Sequence, residues 1–333
     1  MRLMRVRDEE QEPLFTFLSK LGHVVKNLSL NMMLDSWSRD SWSPAEAEDF
    51  NARILGHCHN VRCLSIFHER DNNSKLQLLF DNIRNLSLLE EIHIIDASEM
   101  GFWGAILASD APNHLAHRLL NAVLDAHASH IRTITLFGVN PLTIATFEKI
   151  QHATPKLYRL DISHGLSVHH REVLATPTPW ACAANLQHVR LIRCRGVHAA
   201  IFTRQLAAGV IGHLRILYLS SCGTGLDDGT LPVATKWTIP ALEVLELDCF
   251  AAWEMRYFAM IHVRKVFLSR VCQVDYMEDT QALITAMTNT TTFPGAIELH
   301  VTPEWSDQSF DNLRMACFTR DIKVVERDWN SAR

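Results

Sequence analysis

Gly223-x-Gly225, with Gly229 beyond it, follows an apolar stretch in the manner of a phosphate-cradling loop. A dinucleotide loop needs G-x-G-x-x-G: one glycine turns the chain, one admits the pyrophosphate and one lets helix meet strand. Here the third glycine is misplaced, and the stretch is a turn in a repeating unit whose other copies lack these glycines. No cofactor is expected. Gly56-His57-Cys58-His59, with Cys63 just beyond, offers zinc-type donors. Zinc needs ligands that converge on one point, whereas three consecutive side chains diverge and Cys63 falls beside Leu64 in a strand. The thiols read as packed groups and the imidazoles as surface groups, so no metal is expected.

His114 and His117 share a helix face at i, i+3, and His127 and His130 follow a few turns later with Asp125 as the matching carboxylate. His169-His170 lies in a loop-like stretch. Acid–base catalysis needs a partner that orients the imidazole, and eighteen histidines spread along the chain make such pairs by chance. His68-Glu69-Arg70-Asp71 has the letters of a kinase loop without the glycine-rich loop or strand lysine that would accompany it. With no catalytic residues to name, the chain is expected not to be an enzyme. An enzyme with an unrecognised site is the rival from another class.

Composition narrows the classes further. Of 333 residues, 47% are hydrophobic and 21% charged, enough to bury a core along the whole chain. The net charge is -5 and the cations are scattered singly, which argues against a phosphate-neutralising stripe; no nucleic-acid partner is expected. The start, Met1 to Arg7, carries no apolar run of signal-peptide length. Even the apolar region from Cys249 to Val263 is interrupted by Glu254 and Arg256, so no membrane partner is expected either. Eight cysteines without a secretion signal read as reduced thiols in cytoplasm or nucleus. The sequons at Asn27, Asn72, Asn85 and Asn289 then carry no weight.

The dominant signal is self-similarity. The pattern apolar-x-x-apolar-x-apolar appears at Val25/Leu28/Leu30, Val61/Leu64/Ile66, Leu89/Ile92/Ile94, Ile131/Ile134/Leu136, Leu157/Leu160/Ile162 and Leu186/Val189/Leu191. It continues at Leu214/Leu217/Leu219, Leu242/Leu245/Leu247, Val263/Val266/Leu268 and, more weakly, Pro294/Ile297/Leu299; Ile322-Lys323-Val324 reads as a last, incomplete copy. Between Ile134, Leu160, Val189, Leu217 and Leu245 the steps are 26, 29, 28 and 28 residues. The outer steps are looser, 36, 28 and 42 before this block and 21 and 31 after it, as loop insertions and capping repeats produce.

Each copy predicts a short strand with alternate residues turned inward. The following segment supplies a second layer at helical spacing, as in Phe147 with Ile150 or Phe202 with Leu206. The expected fold is α/β, a curved solenoid with parallel strands on the concave face and helices on the convex face. It forms one domain over 1–333: a cap segment at 1–24, ten to eleven irregular repeats over 25–325 and a tail at 326–333. Trp37 and Trp42, within the long first interval, read first as part of a cap packed on the first repeats and second as an exposed contact loop.

On such strands the residues between the buried ones face outward. They are Glu91 and His93, Thr133 and Thr135, Arg159 and Asp161, His188 and Arg190, Tyr218 and Ser220, Glu246 and Asp248, and Lys265 and Phe267. A face charged in both signs, with Arg and Tyr as anchors, complements a protein or peptide. The plainer reading is that these residues keep an exposed sheet soluble.

The stretch from Leu214 to Cys249, LRILYLSSCGTGLDDGTLPVATKWTIPALEVLELDC, resembles the cysteine-containing leucine-rich repeats common in F-box proteins. In those a Cys follows the strand and an L-T-D-like turn follows the Cys, places taken here by Cys222 and Leu226-Asp227-Asp228. Cys194 stands in the same register, whereas Cys249 and Cys272 are shifted by one. The irregular repeats and phrases such as LGHVVKNLSL resemble the repeat portion of fungal F-box-type proteins. The resemblance implies protein recognition, in its most specific form substrate reading for a ubiquitin ligase; a non-ligase scaffold or inhibitor is the alternative. Pro13-Leu14-Phe15 does not open an F-box, so a ligase adaptor is expected only with an F-box carried by a longer form of the chain.

Overall fold

The computed structural model describes residues 8–31, 44–68, 77–96, 115–139, 144–163, 181–192, 211–220, 241–248, 261–269, 281, 284–301 and 307–326. By internal contacts the chain divides into two units, Met1–Val168 and His169–Arg333. Phe202, Leu206, Trp37 and Trp42 lie outside the described residues.

The first unit carries β1 (Asn27–Asn31), β2 (Cys63–His68), β3 (Glu91–Asp96), β4 (Thr133–Phe137) and β5 (Arg159–Ser163). Between them and before them run α1 (Asp8–Leu21), α2 (Pro44–His57), α3 (Gln77–Arg84), α4 (Leu115–His127) and α5 (Ile144–Ala153). The second unit carries β6 (His188–Ile192), β7 (Ile216–Ser220), β8 (Leu242–Asp248), β9 (Val263–Ser269), β10 (Glu298–Val301), α6 (Asp307–Phe318) and β11 (Lys323–Glu326). Within each unit every strand pairs in parallel with the next strand in the chain, giving an α/β fold built on open parallel sheet.

The alternation read from the sequence sets the register. Leu28, Leu64, Ile92, Ile134 and Leu160 are cross-strand partners in the first unit, all at most 1% exposed. Val189, Leu217, Leu245, Val266 and Leu299 form the same ladder in the second unit. A one-residue slip would turn every one of these side chains to the open face, which is why the hydrophobic pattern fixes the pairing. The last repeats correct the expectation: the partner of Val266 is Leu299, not Ile297, which is 42% exposed. The true copy is therefore Ala296/Leu299/Val301, and Val324 takes the middle place in β11. Pro294 imitates the apolar residue that opens the pattern, two positions before Ala296.

A backbone device repeats with the strands. The carbonyl of the residue before a strand accepts two N–H groups from the start of the next one. Lys26 receives Arg62 and Cys63, Arg62 receives Glu90 and Glu91, Glu90 receives Arg132 and Thr133, and Arg132 receives Tyr158 and Arg159. Gln187 and Arg215 do the same for β7 and β8. Both lone pairs of each carbonyl are used where the chain enters the sheet.

The helices cover the buried side in the first unit. Neighbours α1 to α5 pack in chain order, and α4 also lies on β3. Leu79, Phe80 and Ile83 of α3, and Leu115, Leu119, Leu120, Val123 and Leu124 of α4, supply the apolar layer, as does Ile150 of α5. Side chains tie the stack: Asn51 Nδ2 donates to the Asn31 carbonyl at 3.3 Å, Asn82 Nδ2 to Ala52 at 2.7 Å, and His127 Nε2 to Ile83 at 2.7 Å. Asp125 pairs with Lys149 across α4 and α5. In the 1–24 segment, Phe15 is buried edge-on against Phe50 of α2 at 5.5 Å, with the Arg53 guanidinium over its ring. Gly138 ends β4 at φ +70°, where a Cβ would sit 2.5 Å from the Asp96 carbonyl oxygen. No described helix is long and apolar enough to cross a membrane.

Candidate interaction face

The side chains between the buried ones form rows across each sheet. In the first unit one row is Asn27, Cys63, Glu91, Thr133 and Arg159, and the next is Ser29, Ser65, His93, Thr135 and Asp161. A third row runs Asn31, Phe67, Ile95, Phe137 and Ser163, with its three large apolar residues half-buried. In the second unit one row is His188, Ile216, Val244, Lys265, Glu298 and Lys323. Its neighbour is Arg190, Tyr218, Glu246, Phe267, His300 and Val325.

All fourteen residues expected on this face occupy these rows or their extension, but three are not open, Ser220 at 5% exposed among them. Asp161 and Asp248 are each 6% exposed. Arg159 holds Asp161 Oδ2 from Nη2 at 2.7 Å and from Nε at 3.0 Å. This pairing, its largest cause, raises the guanidinium pKa. Ser220 Oγ donates to Asp248 Oδ2 at 2.7 Å. These two carboxylates shape the face rather than present charge to a visitor.

The others make local pairs. Arg190 lies over the Tyr218 ring at 4.8 Å, a cation–π contact, and burial followed by the nearby Glu246 raises the Tyr218 pKa so that the phenol stays protonated. Phe267 stacks on His300 at 4.1 Å with the rings 14° apart. Glu298 Oε2 accepts from Lys265 Nζ at 2.9 Å and from His300 Nε2 at 3.0 Å, which depresses its pKa to about 2. In the first unit His93 Nε2 stands 3.9 Å from Glu91 Oε2, and burial lowers the imidazole pKa.

Glu91 also faces Cys63, its register partner, whose thiol burial and then Glu91 itself push up to about 11. Cys63, Glu91 and His93 thus bring one sulfur, one oxygen and one nitrogen donor within 4.8 Å of one another. In the sequence Cys63 follows closely on His57, Cys58 and His59. Those do not join it: Cys58 is buried, His57 packs beside Phe15 and His59 is exposed.

Other residues weighed for chemistry sit elsewhere. His117 and His127 are buried in α4, the latter neutral in character because burial lowers its pKa. His130 is exposed beside Ser129, while Asp125 serves Lys149. His68 faces Asp96 across the ends of β2 and β3, both at most 1% exposed, with Nε2 and Oδ2 3.8 Å apart. His114, the His169-His170 pair, Gly223, Gly225, Gly229, Cys194, Cys222, Leu226 to Asp228, Cys249, Cys272 and Glu69 to Asp71 lie outside the described residues. The described thiols Cys58, Cys63, Cys182 and Cys317 are free.

Cys63, Ser65, Phe67, Ile95, Phe137, Glu298 and His300 were not picked out as face residues from the sequence. The alternation rule that found Glu91 and His93 names the first five when carried across the whole strand, and the last two need the corrected register of β10. No known family model matches the chain, and no curated protein is significantly similar to it.

Proposed function

We propose that the protein is a leucine-rich-repeat solenoid that recognises another protein through the open faces of its parallel sheets. The observation that carries this is the row Arg190, Tyr218, Glu246, Phe267 and His300, in which a cation–π pair and an aromatic stack flank a carboxylate on adjacent strands. Arg and aromatic side chains held rigidly by their neighbours are the usual energetic anchors of protein interfaces, since little rotamer entropy remains to be lost on binding. The half-buried Phe67, Ile95 and Phe137 supply apolar area in the first unit, which suits a protein surface better than a small polar ligand. The steps of 26, 29, 28 and 28 residues in the middle block, and the forked carbonyl shared by six strand entries, support the repeat reading itself. The ligase form of this function rests on the sequence resemblance to F-box-type repeat proteins; a scaffold or inhibitor uses the same face.

Affinity capture with mass spectrometry, wild type against a folded Arg190→Glu/Tyr218→Ala variant, tests the reading. A partner retained by wild type and lost by the variant is the expected result, and ligase adaptors among the captured proteins would favour the ligase form. Identical partners for both proteins would move recognition off this face.

A further inference from the structure

We infer that Cys63, Glu91 and His93 form a binding site for one zinc-class transition-metal ion on the open face of the first unit. Among the described residues this is the group in which three metal-ligating side chains of different type converge, with their donor atoms within 4.8 Å of one another. The sheet creates it: parallel register sets Cys63 directly across from Glu91, and the two-residue repeat of β3 brings His93 onto the same face. The Cys63–Glu91 relation is not visible as a linear motif, since those two ligands come from two repeats.

The donor set selects the ion. A thiolate, an imidazole and a carboxylate together suit zinc, where calcium or magnesium would call for oxygen alone. Tetrahedral zinc with bonds of about 2.0–2.3 Å sets its ligands about 3.5 Å apart, so side-chain rotation closes the remaining gap. The Glu91 to His93 separation of 3.9 Å is already near that spacing. All three residues are half-buried and reachable from solvent. As the metal–sulfur bond forms, the thiol proton leaves to the buffer, and the fourth coordination position stays with water on the open side. Arg159, a cation two strands away on β5, is engaged by Asp161, which offsets its repulsion of a second positive ion.

Two measurements on the full reduced chain test the site. Co(II) titration of wild type should give tetrahedral d–d bands and a thiolate-to-metal charge-transfer band at one equivalent. Cys63→Ser should lose the charge-transfer band, and His93→Ala should weaken binding at least about tenfold, since even outer-shell losses cost that much. Separately, Zn(II) should protect Cys63 from iodoacetamide in wild type and not in His93→Ala, with the cysteines read one by one by peptide mass spectrometry. Protection needs no variant of the thiol itself, so a misfolded Cys63→Ser protein would not decide the matter. Equal Co(II) spectra in wild type and both variants, or no protection of Cys63 by Zn(II), would overturn the inference.

Discussion

Glu298 takes its charge state from two neighbours on different strands, Lys265 of β9 and His300 of its own β10. Its pKa lies near 2 in the folded chain against an ordinary 4.5, so the unfolded chain binds the proton more readily. The stabilisation is therefore complete above the ordinary value and is lost as pH falls from 4.5 toward about 2. Replacing the cation, Lys265→Met, should raise the Glu298 pKa and flatten the acid limb of stability; carboxyl titration by NMR reads the first effect and urea denaturation against pH the second. The pair is partly exposed, so the effect should shrink in high salt. How much of this was legible beforehand differs by residue. Lys265 follows from alternation along one strand, whereas Glu298 required the register of β10, which the exposed Ile297 disguised. The Cys63–Glu91–His93 group was hidden for another reason: Cys63 stands 28 and 30 residues before the other two and meets them through the pairing of two strands.

At the level of single elements, the ladders of buried middle residues carry the sheets. Leu217 is fully buried between Val189 and Leu245, and Leu217→Ala should cost about 2–5 kcal/mol through lost burial and the cavity left behind. Leu217→Asp adds an unpaired buried charge and should abolish cooperative thermal unfolding of that region, as calorimetry would show. Helix α4 depends on chemistry as well as packing. His127 donates to the Ile83 carbonyl near the end of α3, a bond available to a neutral imidazole. Its pKa is lowered from 6.5, first by burial, so the unfolded chain takes up the proton first. Stability from this group is present above pH 6.5 and is lost as pH falls below it. The His127→Gln protein keeps a donor and loses the titration, so its stability should fall less than wild type between about pH 7 and pH 5. His93, whose burial shifts it the same way, remains in both proteins, so the difference between the two denaturation curves isolates His127. Strands were legible in the sequence because alternation of apolar residues is a direct image of the pleat. The helices were less so: spacing pairs His127 with exposed His130, yet His127 itself, like His117, faces the core because α4 is buried almost all round.

Across the whole chain, nearest-neighbour pairing dominates. Within each unit a strand pairs only with the strands before and after it, so the terminal strands have one pairing neighbour and the inner ones two. Amide exchange should accordingly be slower in β3 than in β1, and slower in β8 than in β11; equal protection throughout would mean that each sheet opens as one body. That organisation was visible in the sequence as the repeating step, since repeats that touch only their neighbours need nothing more than a period. The division into two units was not, for the apolar pattern continues through residue 168 without a change of period or composition. The forked carbonyls have a consequence for synthesis. Strands β2 to β5 each find this acceptor, Lys26, Arg62, Glu90 or Arg132, on the segment the ribosome has already released. A sheet of this kind can be laid down in the order of its codons, and a nascent chain halted partway would present one ready edge to whatever emerges next.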